Sequence, residues 1–241
     1  MTTSFRDIWV YLAASPLLAL TLTLMAYQLG AFLYRRAGMN PLLNPVLIAV
    51  LILVAILILT GTSYESYFEG AQFVHFLLGP ATVALAIPLY RQLHQLRRSG
   101  GAIFVSLILG SLTAAASAIG IAFALGGDRL TLVSIAPKSV TAPVAMGISE
   151  QLGGLPSLTA VLVILTGILG AALGPPLLNL LRIKDMRARG LAIGTASHGI
   201  GTARALQVSE VAGAFAGLAM GLNALATALL LPILWKLVFA G

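Results

Sequence analysis

Ile135-Ala136-Pro137-Lys138-Ser139-Val140-Thr141-Ala142-Pro143 is the stretch whose reading decides the architecture. It places two prolines, a lysine and two hydroxyls inside surroundings that are almost wholly apolar. Proline removes a backbone donor and clashes with the preceding turn, so a helix running through here is interrupted. A matching phrase, Leu78-Gly79-Pro80-Ala81-Thr82-Val83-Ala84-Leu85-Ala86, stands 57 positions earlier. Each has Pro, then a small or polar residue, then Ser or Thr, then Val in a near-identical order. Hydrophobic segments broken at corresponding places in two halves of a chain point to a binding site near a bilayer midplane.

Composition agrees. Of 241 residues, 59% are hydrophobic and only 9% charged, against roughly 25% charged in soluble domains. Mean hydropathy is +1.00. Such a chain cannot cover a water-facing surface, and the fold class expected is an all-α polytopic membrane protein. The net charge of +7 does not indicate nucleic acid. Much of it sits in short basic segments: Arg35-Arg36; Arg91, Arg97 and Arg98; Arg182, Lys184, Arg187 and Arg189. The positive-inside bias puts these on the cytoplasmic side of a bacterial inner membrane. There is no cysteine, hence no disulfide or thiol chemistry.

About six full spans are expected: 8–34, 45–59, 73–93 (broken at Gly79-Pro80 and again at Pro88), 101–125, 155–181 and 211–237. Tyr64, Tyr67 and Phe68 suit an outer aromatic belt. Two further segments are too polar for ordinary spans. The segment 131–154 reads as an extended stretch dipping to mid-membrane, then a half-helix from Pro137 to about Gln151. The segment 190–207 reads as a second broken or re-entrant element, entered from the cytoplasm. At the same 57-residue offset Leu107-Ile108-Leu109-Gly110 matches Ile164-Leu165-Thr166-Gly167. The charge assignment runs these two spans in opposite directions, which predicts an inverted repeat. The whole chain reads as one transmembrane domain: residues 1–60 as scaffold and dimerisation spans, 64–126 as one copy and 127–241 as the other.

Lys138 and Arg204 lie in the broken elements, away from the basic loops. A cation at membrane depth costs at least ~2.5 kcal/mol on insertion scales. Two readings of Lys138 stand: it awaits an anion, aided by a half-helix N-terminus, or it snorkels to the outer headgroups. Ser139, Thr141, Thr195, Ser197 and Thr202 bring hydroxyls to the same elements, and Pro80 and Thr82 belong to the matching phrase. Hydroxyls suit a carboxylate and a 2-hydroxy or 2-oxo group, although Ser and Thr also bond back to their own helices. His198 is a candidate for substrate binding or proton carriage. Glu150 and Glu210 read as proton carriers, counter-ions or interface residues. No pattern for a metal, a nucleotide or a catalytic nucleophile is present, so neither a cofactor nor enzyme activity is expected.

Several longer motifs carry a resemblance. Ala136-Pro137-Lys138-Ser139-Val140-Thr141-Ala142-Pro143-Val144-Ala145-Met146, Pro156-Ser157-Leu158-Thr159-Ala160-Val161 and Thr166-Gly167-Ile168-Leu169-Gly170 with Gly174-Pro175-Pro176 are three of them. Gly194-Thr195-Ala196-Ser197-His198-Gly199-Ile200-Gly201-Thr202-Ala203-Arg204-Ala205-Leu206 is the fourth. Together with Leu78–Tyr90 they resemble the LrgB/CidB family over nearly the whole chain. The resemblance implies modulation of murein hydrolase activity and autolysis beside a small holin-like partner of the LrgA/CidA type. It equally implies kinship with a plastid glycolate/glycerate translocator and with bacterial pairs linked to pyruvate uptake. The expected function is therefore transport of small monocarboxylates by alternating access, with a homodimer as the expected assembly. The alternative is a regulator of a holin-like partner, without transport.

Overall fold

A computed structural model describes residues 16–38, 43–77, 80, 83–84 and 86–239. Among them there are helices, turns and loops and no strand, so the chain is all-α. It divides into two compact units, Met1–Ala84 and Leu85–Gly241.

In the first unit, α1 (Pro16–Arg36) packs on α2 (Pro45–Thr60) and α3 (Tyr64–Phe76). The signals that bound α2 are local. Asn44 Oδ1 accepts from the Val46 and Leu47 amides, Pro45 supplies the first helical residue, and Gly61 takes the left-handed conformation at the C-cap. Arg35 and Arg36 end α1, where cations complement the carbonyl end of the helix dipole. Thr23 Oγ1 and Tyr67 Oη share a 2.7 Å hydrogen bond that ties α3 to α1, so Tyr67 packs against a helix as well as serving any aromatic belt.

The second unit begins with two short helices, α4 (Ala86–Arg91) and α5 (Leu93–Arg98). The crossing expected over 73–93, broken at Gly79-Pro80 and again at Pro88, falls partly outside the described residues; among those described, α3 ends at Phe76, residues 80 and 83–84 are helical, and α4 runs through Pro88 to Arg91. Then come α6 (Gly100–Ala124), α7 (Arg129–Ile135), α8 (Ala142–Gln151), α9 (Pro156–Leu180), α10 (Met186–Val208) and α11 (Glu210–Phe239). Helices α1, α6, α9 and α11 are long and apolar enough to cross a membrane, and α2 is a shorter apolar helix. The chain is thus a multi-pass membrane protein.

Helices α7 and α8 form a hairpin. Thr159 Oγ1, near the start of α9, reaches Ser134 O at 2.9 Å and Ser149 Oγ at 2.8 Å. Ser134 lies near the C-terminal end of α7 and Ser149 near that of α8, so their shared partner gathers both helices against the start of α9. The tip is Ala136–Thr141. Here the structure corrects the expectation for 131–154: the entering limb is helical, and the returning helix starts at Ala142 and not at Pro137. Asp128 caps the Thr131 amide at 2.9 Å and so begins α7. Pro137 follows its end, and Pro143 sits in the first turn of α8, where a missing N–H costs nothing. Lys138 consequently lies in the link between two helices.

Helix α10 is a second hairpin. Ser197 (φ −131, ψ 15) and His198 (φ 40, ψ −134) leave helical geometry altogether. A Cβ on Gly201 would sit 3.1 Å from Ile193 O, whereas eight residues along a straight helix span about 12 Å. Packing on α11 gives the same answer. Gly190 and Gly194 meet Ala212 and Ala216 in ascending order, whereas Leu206 meets Gly213 and Thr202 meets Met220 in descending order. The limb before His198 therefore runs parallel to α11 and the limb after it antiparallel. Both glycines on the first limb are obligatory for this approach, because a methyl on either would overlap an α11 carbonyl.

The two hairpins enter from opposite ends of α9. The first is tied to Leu155 and Thr159 at its start. The second is tied to its end, where Arg189 Nη1 donates to Asn179 Oδ1 at 2.8 Å and Ile183 O at 2.9 Å. The 57-residue interval recurs here: it separates Arg129 from Met186 and Gln151 from Val208, and α6 and α9 are both 25 residues long.

Candidate binding site at the hairpin tips

Both tips lie against the same residue. Asn223, in the middle of α11 and 1% exposed, donates from Nδ2 to Thr195 O at 2.9 Å and to Ser139 O at 3.4 Å. One carbonyl belongs to each hairpin. Chains that break in a membrane leave backbone carbonyls without helical partners, and these must be satisfied inside the protein. Asn223 does this for both breaks at once. In the sequence it is an Asn within a Gly- and Ala-rich span, and that polar residue at mid-span was the available signal.

The second tip is also locked from α9. His198 Nε2 pairs with Val163 O at 2.9 Å, and Thr202 Oγ1 donates to His198 O at 2.8 Å. Gly167 and Gly170 make the space. A Cβ on Gly167 would stand 2.6 Å from His198 Cε1, and one on Gly170 would overlap Ser197 Oγ. These two glycines, like Asn223, were not among the sequence candidates.

Beside the tips is a cavity of about 680 Å³. Lys138, Ser139 and Ser197 line it together with Thr166 of α9, and most of the remaining wall is Leu, Ile and Ala. Lys138 is the charged side chain of that lining, and its Nζ makes one long contact, 3.4 Å, to Ser139 Oγ. A second cavity, about 550 Å³, runs along α6 and the first limb of α10. Its wall includes Asp185 and Arg187 at the helix start and Thr195 near the tip. Ala114, Ala192 and Ala196 border both cavities.

The structure thus brings Lys138, Ser139, Thr195, Ser197 and His198 to one neighbourhood, with Thr202 one turn behind His198. Thr141 is the N-cap residue of α8, at the base of the first tip. Arg204 is elsewhere: it lies on the returning limb of α10, its Nη1 donates to Gln207 Oε1 at 3.2 Å, and it borders neither cavity. Glu150 is exposed in the last turn of α8. Glu210 opens α11, exposed and paired with Arg91 at 3.1 Å. Pro80 belongs to the other unit, and Thr82 lies outside the described residues.

The arrangement can hold a small anion. A fixed ammonium faces an otherwise apolar cavity, with hydroxyls from both hairpins at its edge. Cavities of roughly 300–1,000 Å³ with a few convergent polar groups are the usual form of small-molecule sites. Among the described residues no cluster of three His, Asp or Glu is placed to hold a metal.

Comparison with known proteins gives the wider context. The chain is 39% identical over 212 residues to the uncharacterized protein YxaC of Bacillus subtilis (strain 168), covering 88% of this chain and 92% of that one. It is 40% identical over 177 residues to the uncharacterized protein YwbG of the same organism, covering 73% and 79%. It is 31% identical over 219 residues to the antiholin-like protein LrgB of Bacillus cereus (strain B4264), covering 91% and 95%. No solved structure matches. Residues 23–237, which include both hairpins and all of α11 but its last two residues, match the LrgB-like family, and the chain belongs to that family.

Proposed function

We propose that this chain is a secondary transporter of small monocarboxylates, of the glycolate, glycerate, lactate and pyruvate class, working by alternating access in the bacterial cytoplasmic membrane. The observation that carries the reading is the meeting of two oppositely entering hairpin tips beside a cavity whose charge is Lys138. A protein that only contacted a membrane partner would have no use for a lysine held in an apolar cavity at two helix breaks, at a cost of ~2.5 kcal/mol or more. In this reading Lys138 neutralises the carboxylate, while Ser139 and Ser197 bind its oxygens and the 2-position. Thr195 and His198 shape the second tip. Movement of one tip against the other would open the cavity to alternate sides. The coupling ion is not part of this reading.

The test is uptake of labelled glycolate and pyruvate into liposomes holding the purified chain, with imposed proton or sodium gradients. Wild type should accumulate label. Lys138→Ala should lose uptake by at least tenfold, while Arg204→Ala, outside both cavities, should keep most of it. Uptake that survives Lys138→Ala would remove this site.

The antiholin-like name of the Bacillus cereus relative favours a second reading, in which the chain regulates a small holin-like membrane protein. Folded protein that gives no uptake under any gradient, alone or reconstituted with an LrgA-type partner, would support that reading over transport.

A further inference from the structure

Asn223 has one more atom than the backbone contacts use. Its Nδ2 is committed to two carbonyls, Thr195 O and Ser139 O. Carbonyls only accept, so the amide orientation is set by its partners. Its Oδ1 must then point away from them, and it is buried with no hydrogen-bond partner among the described residues. A buried acceptor left unpaired is costly, and the side chain is 99% buried. Something with a positive end belongs there.

The surroundings narrow what that is. Helix α7 and the first limb of α10 both end at the tips, so each directs the negative, carbonyl end of its dipole toward Asn223. Oxygen is the donor at hand: the free Asn223 Oδ1 itself and, around the amide, the main-chain carbonyls of the two breaks. All are neutral. Hard cations take oxygen ligands, but a divalent ion wants carboxylates, and the described residues offer no acidic cluster. A singly charged ion fits neutral oxygens at helix breaks, where unwound carbonyls and half-helix C-termini are known to hold monovalent cations. The nearby Lys138 repels a lone cation. That repulsion is relieved when an anion sits on Lys138, so the two ions would favour each other's binding by linkage.

We propose that Asn223 Oδ1 is a ligand of a monovalent alkali cation, Na⁺ or K⁺, held beside the two hairpin tips and bound cooperatively with the anion at Lys138. The cooperativity rests on the transport reading, while the cation site itself does not. The experiment is thermal unfolding of the purified full chain in detergent at constant ionic strength. NaCl, KCl or N-methylglucamine chloride is titrated without added acid, and again with glycolate. We expect Na⁺ or K⁺, but not N-methylglucamine, to raise Tm in a saturable way, by RT ln(1 + [ion]/Kd). Asn223→Asp should keep the shift and strengthen it, because it adds a charged oxygen. Asn223→Ala should lose the shift, and Asn223→Ser is the fallback where the alanine variant does not fold. Glycolate should tighten the apparent ion affinity at least threefold in wild type and not in Lys138→Ala. No ion-specific shift in folded wild type overturns the site, as does a shift that persists unchanged in Asn223→Ala or Asn223→Ser. An ion shift without any acid uptake would keep this site and sink the transport reading; uptake without ion dependence would do the reverse.

Discussion

His198 is the residue where this fold can be broken or spared by a single atom. Its φ of 40° and ψ of −134° lie in a region that side chains avoid and glycine occupies freely, and holding an L-residue there costs of order 1–3 kcal/mol. Compare His198→Ala with His198→Gly. Both lose the ring, its 2.9 Å contact to Val163 O and the packing on Gly167, so those losses cancel between them. Alanine keeps the backbone strain. Glycine sheds it, at the cost of about 0.4–1 kcal/mol of extra freedom in the unfolded chain. The glycine variant should therefore be the more stable by about 1–2 kcal/mol, the middle of the difference between those ranges. In a continuous helix the order is reversed, with alanine ahead by about 1 kcal/mol. The sign alone decides. For a chain of this size the difference should appear as roughly 2–8 °C in Tm, read from tryptophan fluorescence in detergent. Alanine matching or exceeding glycine would mean that residues 197 and 198 are helical, and the re-entrant second hairpin would have to be abandoned.

Two further expectations follow from named contacts. Gly170→Ala drives a methyl into Ser197 Oγ and should destabilise by about 1–3 kcal/mol, as overpacking does; Ser197→Ala in the same chain should recover part of that loss, and a double-mutant cycle showing no coupling would refute the contact. Asp185 caps α10 and holds Arg187, whose guanidinium lowers the carboxyl pKa to about 2. Since the folded value lies below the unfolded one, near 3.9, the ion pair stabilises above pH ~4 and is lost as pH falls toward 2. The stability gap between wild type and Asp185→Asn should thus be constant above about pH 5 and close between pH 4 and 2; a gap independent of pH would mean that the pair contributes nothing.

Much of the second unit was legible because breaks in apolar sequence are conspicuous. Pro137, Pro143 and the run Gly194–Arg204 stand out against Leu and Ile, and all three mark real departures from a spanning helix. The direction of the departures was less legible. Asp128 looks like part of an outer turn, yet as a cap it makes the entering limb helical, which moved the helix start from Pro137 to Ala142. Arg204 drew attention by its charge, but charge does not say which side of a limb a residue occupies, and Gln207 on its own helix holds it. Gly167 and Gly170 were hidden for a related reason. Their importance lies in what approaches them from a distant element, and no local pattern encodes that. Pro88 reads as a break in the sequence, yet it lies inside α4, where a proline within the first turn of a helix is tolerated.

The shortness of the hairpin limbs bears on how the chain is made. Helix α7 has seven residues and α8 ten, about 10 and 15 Å of rise, so neither can traverse a hydrocarbon layer about 30 Å thick. During synthesis the segment from Asp128 to Gly154 therefore offers the insertion machinery no stable way to sit among lipid tails, since its bare turn would face them directly. Its natural waiting place is the bilayer surface. It can sink to its final depth only once α9 and the Asn223 stretch of α11, 84 residues after Ser139 of the turn, have arrived to cover it. A nascent chain released before Asn223 should keep Lys138 within reach of water-soluble amine reagents, while the finished chain shields it.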